Sequence, residues 1–228
     1  MKYFKPMLLF LLILLALCVT VVSLTKLLRT SAGLYVGKEQ TCIYTDAYRA
    51  GDYEQDEAMQ DILADLIFFP VPESINRSDA SVSYENSWMF ERTYGGQRGH
   101  EGCDIMADIN ERGLYPIVSM TAGTIEKMGW LRQGGYRIGI RSTHGGYFYY
   151  AHLYSYAQGL EEGSQVAAGE LIGYMGDSGY SDTVGTVGNF AVHLHVGFYI
   201  NSPDGEEISL NPYPLLKKLE SKKLKYTY

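Results

Sequence analysis

Apolar and polar positions follow three different rhythms along this chain. From Met7 to Leu24 no charged residue interrupts an apolar to weakly polar run, which has Lys2 and Lys5 before it and Lys26 and Arg29 after it. As an α-helix this run is ~27 Å long, about the thickness of a bilayer's hydrocarbon core, and it lacks a polar face. Residues 1–32 therefore read as a cytoplasmic tip and transmembrane anchor. A cleaved signal peptide is the alternative, with Thr30, Ser31 and Ala32 as a weak processing site and a secreted product. Lys2 and Lys5 favour an inside N-terminus, which places the body of the chain outside the membrane.

From Asp52 to Phe69 the rhythm becomes helical. Met59, Ile62, Leu63, Leu66 and Ile67 recur at spacings of three and four, predicting one amphipathic helix that Pro70 and Pro72 end. Residues 33–79 then read as a membrane-proximal connector carrying that helix. Beyond Pro72 come short β-branched and aromatic runs separated by glycines: "YPIVSMTAGTIEKMGW", "YRIGIRS", "GGYFYYAHLYS", "LIGYMGDSG" and "FAVHLHVGFYI". Strands of this length and spacing predict an all-β domain over residues 80–214. The basic tail, 215–228, is expected to form a short helix from Leu215 and to turn its lysines to solvent.

The chain has 228 residues, 46% hydrophobic and 20% charged, with a formal net charge of −7. That length suits one principal domain with an appendage. Without a basic excess to neutralise phosphates, nucleic acid drops out as a partner. Of three cysteines, Cys18 lies in the apolar run, leaving Cys42 and Cys103 as the pair able to form a disulfide outside the membrane. Cys103 otherwise reads as a small buried residue.

Three of the five histidines fall in "RGHEGCD" and "VHLHV". Alternate side chains of a strand share a face, so His193 and His195 project together, Cα atoms ~7 Å apart, while Val192, Leu194 and Val196 turn to a core. One of that pair can bind a metal while the other reaches a bound water or a substrate oxygen. His100 and Asp104 would lie ~13 Å apart on a straight strand, too far for one ion, but Gly102 between them permits a bend. Two histidines and one carboxylate make a three-ligand zinc site with an open fourth position, as in catalytic and not structural sites. His152, in "FYYAHLYS" with Tyr150 and Tyr154 on its face, suits a general base near neutral pH, or a packed histidine bonded to a carbonyl. His144, in "RSTHGG", shows no partner and reads as surface.

The succession "RGHEGCD", "AGTIEKMG", "GGYFYYAHL", "EEGSQVAAGELIGYMGDSG" and "HLHVGF" resembles the lysostaphin-type, or LytM-like, peptidoglycan metallopeptidases over about residues 68–214. The resemblance implies an antiparallel β-sheet domain with an open groove, of the duplicated hybrid motif. It implies one Zn2+ per chain on His100, Asp104 and His195, with His152 and His193 assisting the water and the tetrahedral oxyanion. The loops "WLRQGGYR" and "DSGYSDTVGTVGNF" are expected to wall the groove, and Tyr136, Tyr150 and Tyr180 to line it for an extended peptide. The implied function is hydrolysis of stem or bridge peptides of peptidoglycan by a zinc endopeptidase, single-pass in a bacterial cell membrane with its domain facing the wall. The alternative is a noncatalytic scaffold or activator of other wall hydrolases. Such relatives lose one or more of these five residues, and here all five stand.

Overall fold

Period-two alternation along the strands decides which side of the sheet becomes core and which becomes groove. In a computed structural model, residues 45–202 and 204–228 are described. The strands are β1 Glu73–Ser74, β2 Val82–Tyr84, β3 Glu91–Arg92, β4 Arg98–Gly99, β5 Cys103–Ala107, β6 Pro116–Val118, β7 Gly123–Leu131, β8 Gly135–Ser142, β9 Tyr147–Tyr156, β10 Gln165–Val166, β11 Leu171–Met175, β12 His193–Asn201, β13 Glu207–Leu210 and β14 Lys225–Tyr226. Short helices α1 Asp46–Ala50, α2 Gln60–Ala64 and α3 Tyr213–Leu219 flank them. The main sheet runs β10-β7-β8-β9-β12-β5-β2, with β11 against β9 and β6, and β13 against the end of β12. Its pairings are antiparallel, as expected from the resemblance.

On β12, Leu194, Val196 and Phe198 are fully buried on one face, and Phe148 of β9, paired with Phe198, stacks on it with ring centroids 5.1 Å apart. Ile105, Ile138 and Ile140 from the neighbouring strands complete that layer. Each such side chain contributes about 1.5–3 kcal/mol on burial, so this face fixes the strand register. A slip of one residue would bury the histidines and expose the core.

The helix expected from Asp52 to Phe69 is broken. The chain makes two 3-10 turns, Asp52–Gln55 and Glu57–Met59, before α2 ends at Ala64. Asp56 is extended and its side chain accepts from the Ala58 N–H, restarting the helix. Tyr53, fully buried, donates its hydroxyl to the Asn211 carbonyl. Past α2, Leu66 bridges Thr121, and the Ile67 and Phe68 N–H groups both bond to Met120 O. Competition from the sheet, and not the prolines alone, stops the helix.

From Asp46 on, the expected connector belongs to the same folded unit as the sheet. The tail also folds in: α3 buries Leu215, Leu216 and Leu219 while Lys217 and Lys218 stay exposed, and β14 pairs in parallel with β1. The expected anchor and Cys42 lie outside the described residues; among those described, no helix is long and apolar enough to cross a membrane. Cys103 is a free, fully buried thiol that donates to Glu85 O.

Two side chains depart from expectation. His144 has a partner: its Nδ1 lies 2.8 Å from Asp65 Oδ1, and its backbone N–H donates to Asp65 Oδ2. Tyr150 is fully buried, and its hydroxyl accepts from the Met120 N–H at 2.9 Å. It faces Phe148's side of the sheet, away from any groove.

Tyr150→Phe should therefore lower unfolding free energy by about 1–3 kcal/mol, the cost of orphaning a buried N–H, in a denaturant titration. Unchanged stability would remove Tyr150 from the core hydrogen-bond network. Asp65 holds the His144 imidazole above its usual value through a hydrogen bond and then through charge. Because the folded value is the higher one, this pair stabilises fully below about pH 6.5 and the contribution fades as pH rises through the folded value. An NMR titration should show His144 titrating above an ordinary histidine, and Asp65→Asn should return it.

Candidate active site

His193 and His195 project from the face of β12 opposite the core, as the alternation predicts. Antiparallel pairing with β5 sets Asp104 directly across from His195. His100 arrives from the bend between β4 and β5. Asp104 Oδ1 lies 3.1 Å from His100 Nε2 and 3.0 Å from His195 Nδ1, and the two ring nitrogens are 2.9 Å apart. Gly102 makes this approach possible in a way the bend argument did not foresee: a Cβ there would fall 2.3 Å from His195 Cε1 and 2.7 Å from Val196 O. The glycine is needed for room beside the imidazole.

Backbone carbonyls fix the tautomers. The Nδ1 atoms of His100, His152 and His193 lie 3.0, 2.8 and 2.7 Å from the carbonyls of Ser87, Ser178 and Ala191. A carbonyl only accepts, so each Nδ1 carries the proton and each Nε2 keeps its lone pair. His100 Nε2 and Asp104 Oδ1 then meet as two electron-pair donors at about 3 Å, and His195 Nδ1 beside them becomes a third when its proton sits on Nε2, an arrangement that calls for a proton or a metal cation among them. Donors ~2 Å from a tetrahedral zinc would stand ~3.3 Å apart, so two nitrogens and an oxygen at this spacing fit Zn2+ and leave a position open.

Burial opposes ionisation of Asp104, yet the imidazoles of His100, His195 and His193 hold its carboxyl well below the usual range. Arg92 caps the other oxygen, Oδ2, at 2.9 Å. Burial, and then the nearby His193 and His195, push His152 well below an ordinary histidine. Burial also lowers His195, against the pull of Asp104.

His152 reaches the site through a bulge. β8 pairs Tyr136 with Leu153 but Ile138 with Tyr150, so one extra residue is accommodated on β9. His152 takes φ 62°, and its N–H bonds to Gly134 O instead of continuing the ladder. Strict alternation would have put it on the core face with Phe148 and Tyr150. The left-handed backbone costs about 1–3 kcal/mol and turns the ring onto the groove, 4.6 Å from His193 between centroids. Phe190 and Tyr180 pack against the same ring, at 4.7 and 5.9 Å.

These groups open into a cleft of about 620 Å3. The two expected wall loops contribute Leu131, Gln133, Gly134, Arg137 and Tyr180. Tyr180 stacks at 4.4 Å on Tyr94, from the turn between β3 and β4. Tyr136 is not among the cleft's lining residues; its ring packs edge-on against Trp130 and Tyr156. The lining tyrosines that sequence reasoning missed are Tyr147, Tyr149 and Tyr199. Tyr199 was within reach, since it stands four residues after His195 on one strand and so shares its face. Tyr147 and Tyr149 required the bulge, and Arg92 required the β3–β4 hairpin.

The model of peptidase family M23 matches residues 98–209, a span that contains all five histidine and aspartate positions. A crystal structure of a candidate glycyl-glycine endopeptidase, LytM, from Ruminococcus gnavus ATCC 29149 is 50% identical, with a TM-score of 0.67 over 77% of this chain and 73% of that one. This chain belongs to peptidase family M23. Among curated M23 relatives, the L-Ala–D-Glu endopeptidase of Bacillus subtilis (strain 168) is 43% identical over 152 residues, 67% of this chain and 43% of the relative. Lysostaphin of Staphylococcus simulans is 32% identical over 120 residues, 52% of this chain and 21% of the relative. The chain thus spans less than half the length of these two curated relatives.

Metal analysis of the purified protein should find one zinc per chain. Asp104→Ala and His195→Ala should lose it, Gly102→Ala should bind it more weakly because its methyl meets the His195 ring, and His152→Ala should retain it. Full zinc content in both Asp104→Ala and His195→Ala would overturn the ligand set.

Proposed function

We propose that this M23 chain is a zinc endopeptidase that hydrolyses peptide bonds of bacterial peptidoglycan, anchored by residues 1–32 with its domain outside the membrane. The observation that carries the proposal is the convergence of three electron-pair donors with two further imidazoles whose Nε2 atoms are left unprotonated by carbonyl bonds at Nδ1. His100 Nε2, Asp104 Oδ1 and His195 Nδ1 would hold the metal. When bound, zinc supplies Lewis-acid polarisation of a carbonyl and lowers the pKa of water to about 7.

The chain's own groups supply the rest. His152 and His193 divide two tasks at their Nε2 atoms: one, neutral, accepts a proton from the attacking water with its lone pair, and the other, having taken up a proton from solvent to become imidazolium, donates to the oxygen on which charge develops. The acceptor then returns its proton to the leaving amine. Ser178 O and Ala191 O keep both rings oriented through this exchange. Arg92 leaves Oδ1 of Asp104 free for the metal by binding Oδ2. Tyr180 and Phe190 wall His152 from bulk water, and the open cleft accepts an extended peptide.

The stem peptide is preferred over a glycine bridge as substrate. The 43% identity to a relative named for L-Ala–D-Glu cleavage supports this choice. The apolar run from Met7 to Leu24 supports the anchor.

The purified full-length chain should release peptide fragments from peptidoglycan, chelator should stop release, and added zinc should restore it. Mass spectrometry of the fragments names the bond. His152→Ala should keep zinc yet lose about 100- to 10,000-fold in turnover. No release from any wall chemotype by the zinc-loaded protein would overturn the hydrolase reading.

A further inference from the structure

The cleft holds a cation that the proposed chemistry does not use. β8 pairs Ile138 with Tyr150 and Gly139 with Tyr149, β12 pairs His195 with Ala151, and β5 pairs Asp104 with His195. Arg137 therefore extends the row Asp104, His195, Ala151 across the sheet. Ile138 beside it is in the core, which puts Arg137 on the groove face. Two interstrand steps place its Cα about 10 Å from that of His195.

Its side chain is 12% exposed, and it lines the same cleft as His152, His193 and His195. Its Nη1 is buried and finds no hydrogen-bond acceptor among the described residues. A half-exposed carboxylate, Glu162 Oε1, stands off at 4.0 Å. Arg141 binds both oxygens of Glu126 at 2.6 and 3.1 Å and Arg92 binds Asp104 at 2.9 Å, whereas Arg98, which also lines the cleft, has a buried Nε without a partner but bonds to Gly99 O through Nη1. A largely buried guanidinium with an unmet donor calls for a partner that a ligand can supply, and its planar fork matches a carboxylate.

We infer that Arg137 is a carboxylate subsite, so that the substrate is an acidic peptide whose free carboxylate lies about three extended residues or fewer from the scissile bond. This rests on the endopeptidase reading and narrows it, because a bridge of glycine alone carries no side-chain carboxylate.

The test uses synthetic stem peptides identical except that the D-glutamate carboxylate is free or amidated. With the zinc-loaded full-length chain, amidation should raise KM about 10- to 100-fold and change kcat little. Arg137→Gln should raise KM for the free acid by a similar factor. Applying both changes together should cost far less than the product of the two, and Arg137→Lys should recover part of the loss. Calorimetry with zinc-loaded His152→Ala gives the same comparison without turnover and without any change at Arg137. Equal binding of the two peptides, or fully multiplicative effects of Arg137→Gln and amidation, overturns the subsite. A preference in binding with no hydrolysis of either peptide by the unmodified protein overturns the endopeptidase reading and leaves the subsite standing.

Discussion

Everything in the site depends on one electrostatic constraint: three potential electron-pair donors are held about 3 Å apart in a largely buried setting. Left to themselves the donors would rotate away or take up protons. The fold prevents both. The register of β5 against β12 fixes Asp104 opposite His195, and the Ser87 carbonyl locks the proton of His100 on the far side of its ring. Arg92 binds the carboxylate oxygen that the cluster leaves over. The hydrophobic layer beneath, with Phe148 stacked on Phe198, makes that register costly to change. Core packing and metal affinity are in this sense one property, since a shift in the first would scatter the second.

The second pair of imidazoles obeys a different rule. His152 and His193 also have their Nδ1 protons tied to carbonyls, but they stand back from Asp104; His193 Nε2 is 3.9 Å from Oδ1. They are oriented toward the same space without being drawn into the cluster. This division between groups that crowd and groups that wait is what separates ligands from proton carriers on one sheet face.

Much of this was legible in the residues. The alternation in "VHLHV" placed two histidines on one face, and the β-rich runs located β7, β8, β9, β11 and β12. Gly102 was singled out correctly, though its service is room for the His195 ring and not a bend alone. What stayed hidden has one common cause: it depends on residues far apart in the chain. The helix from Asp52 failed because Asn211, Thr121 and Met120 compete for its backbone and side chains. His144 found Asp65 across a long stretch of chain. Tyr150 was misplaced because the bulge at His152 reverses parity, and nothing in "FYYAHLYS" announces a left-handed histidine.

That bulge has an evolutionary consequence. Point substitutions along β9 can be explored one at a time, each with a graded effect. A change of strand length cannot. With the bulge kept, losing a single residue between Tyr147 and His152 exchanges the two faces beyond it, sending the imidazole toward Phe148's layer and a core side chain into the cleft. Such lineages would meet a cliff instead of a slope, and length along β9 should drift far less than composition.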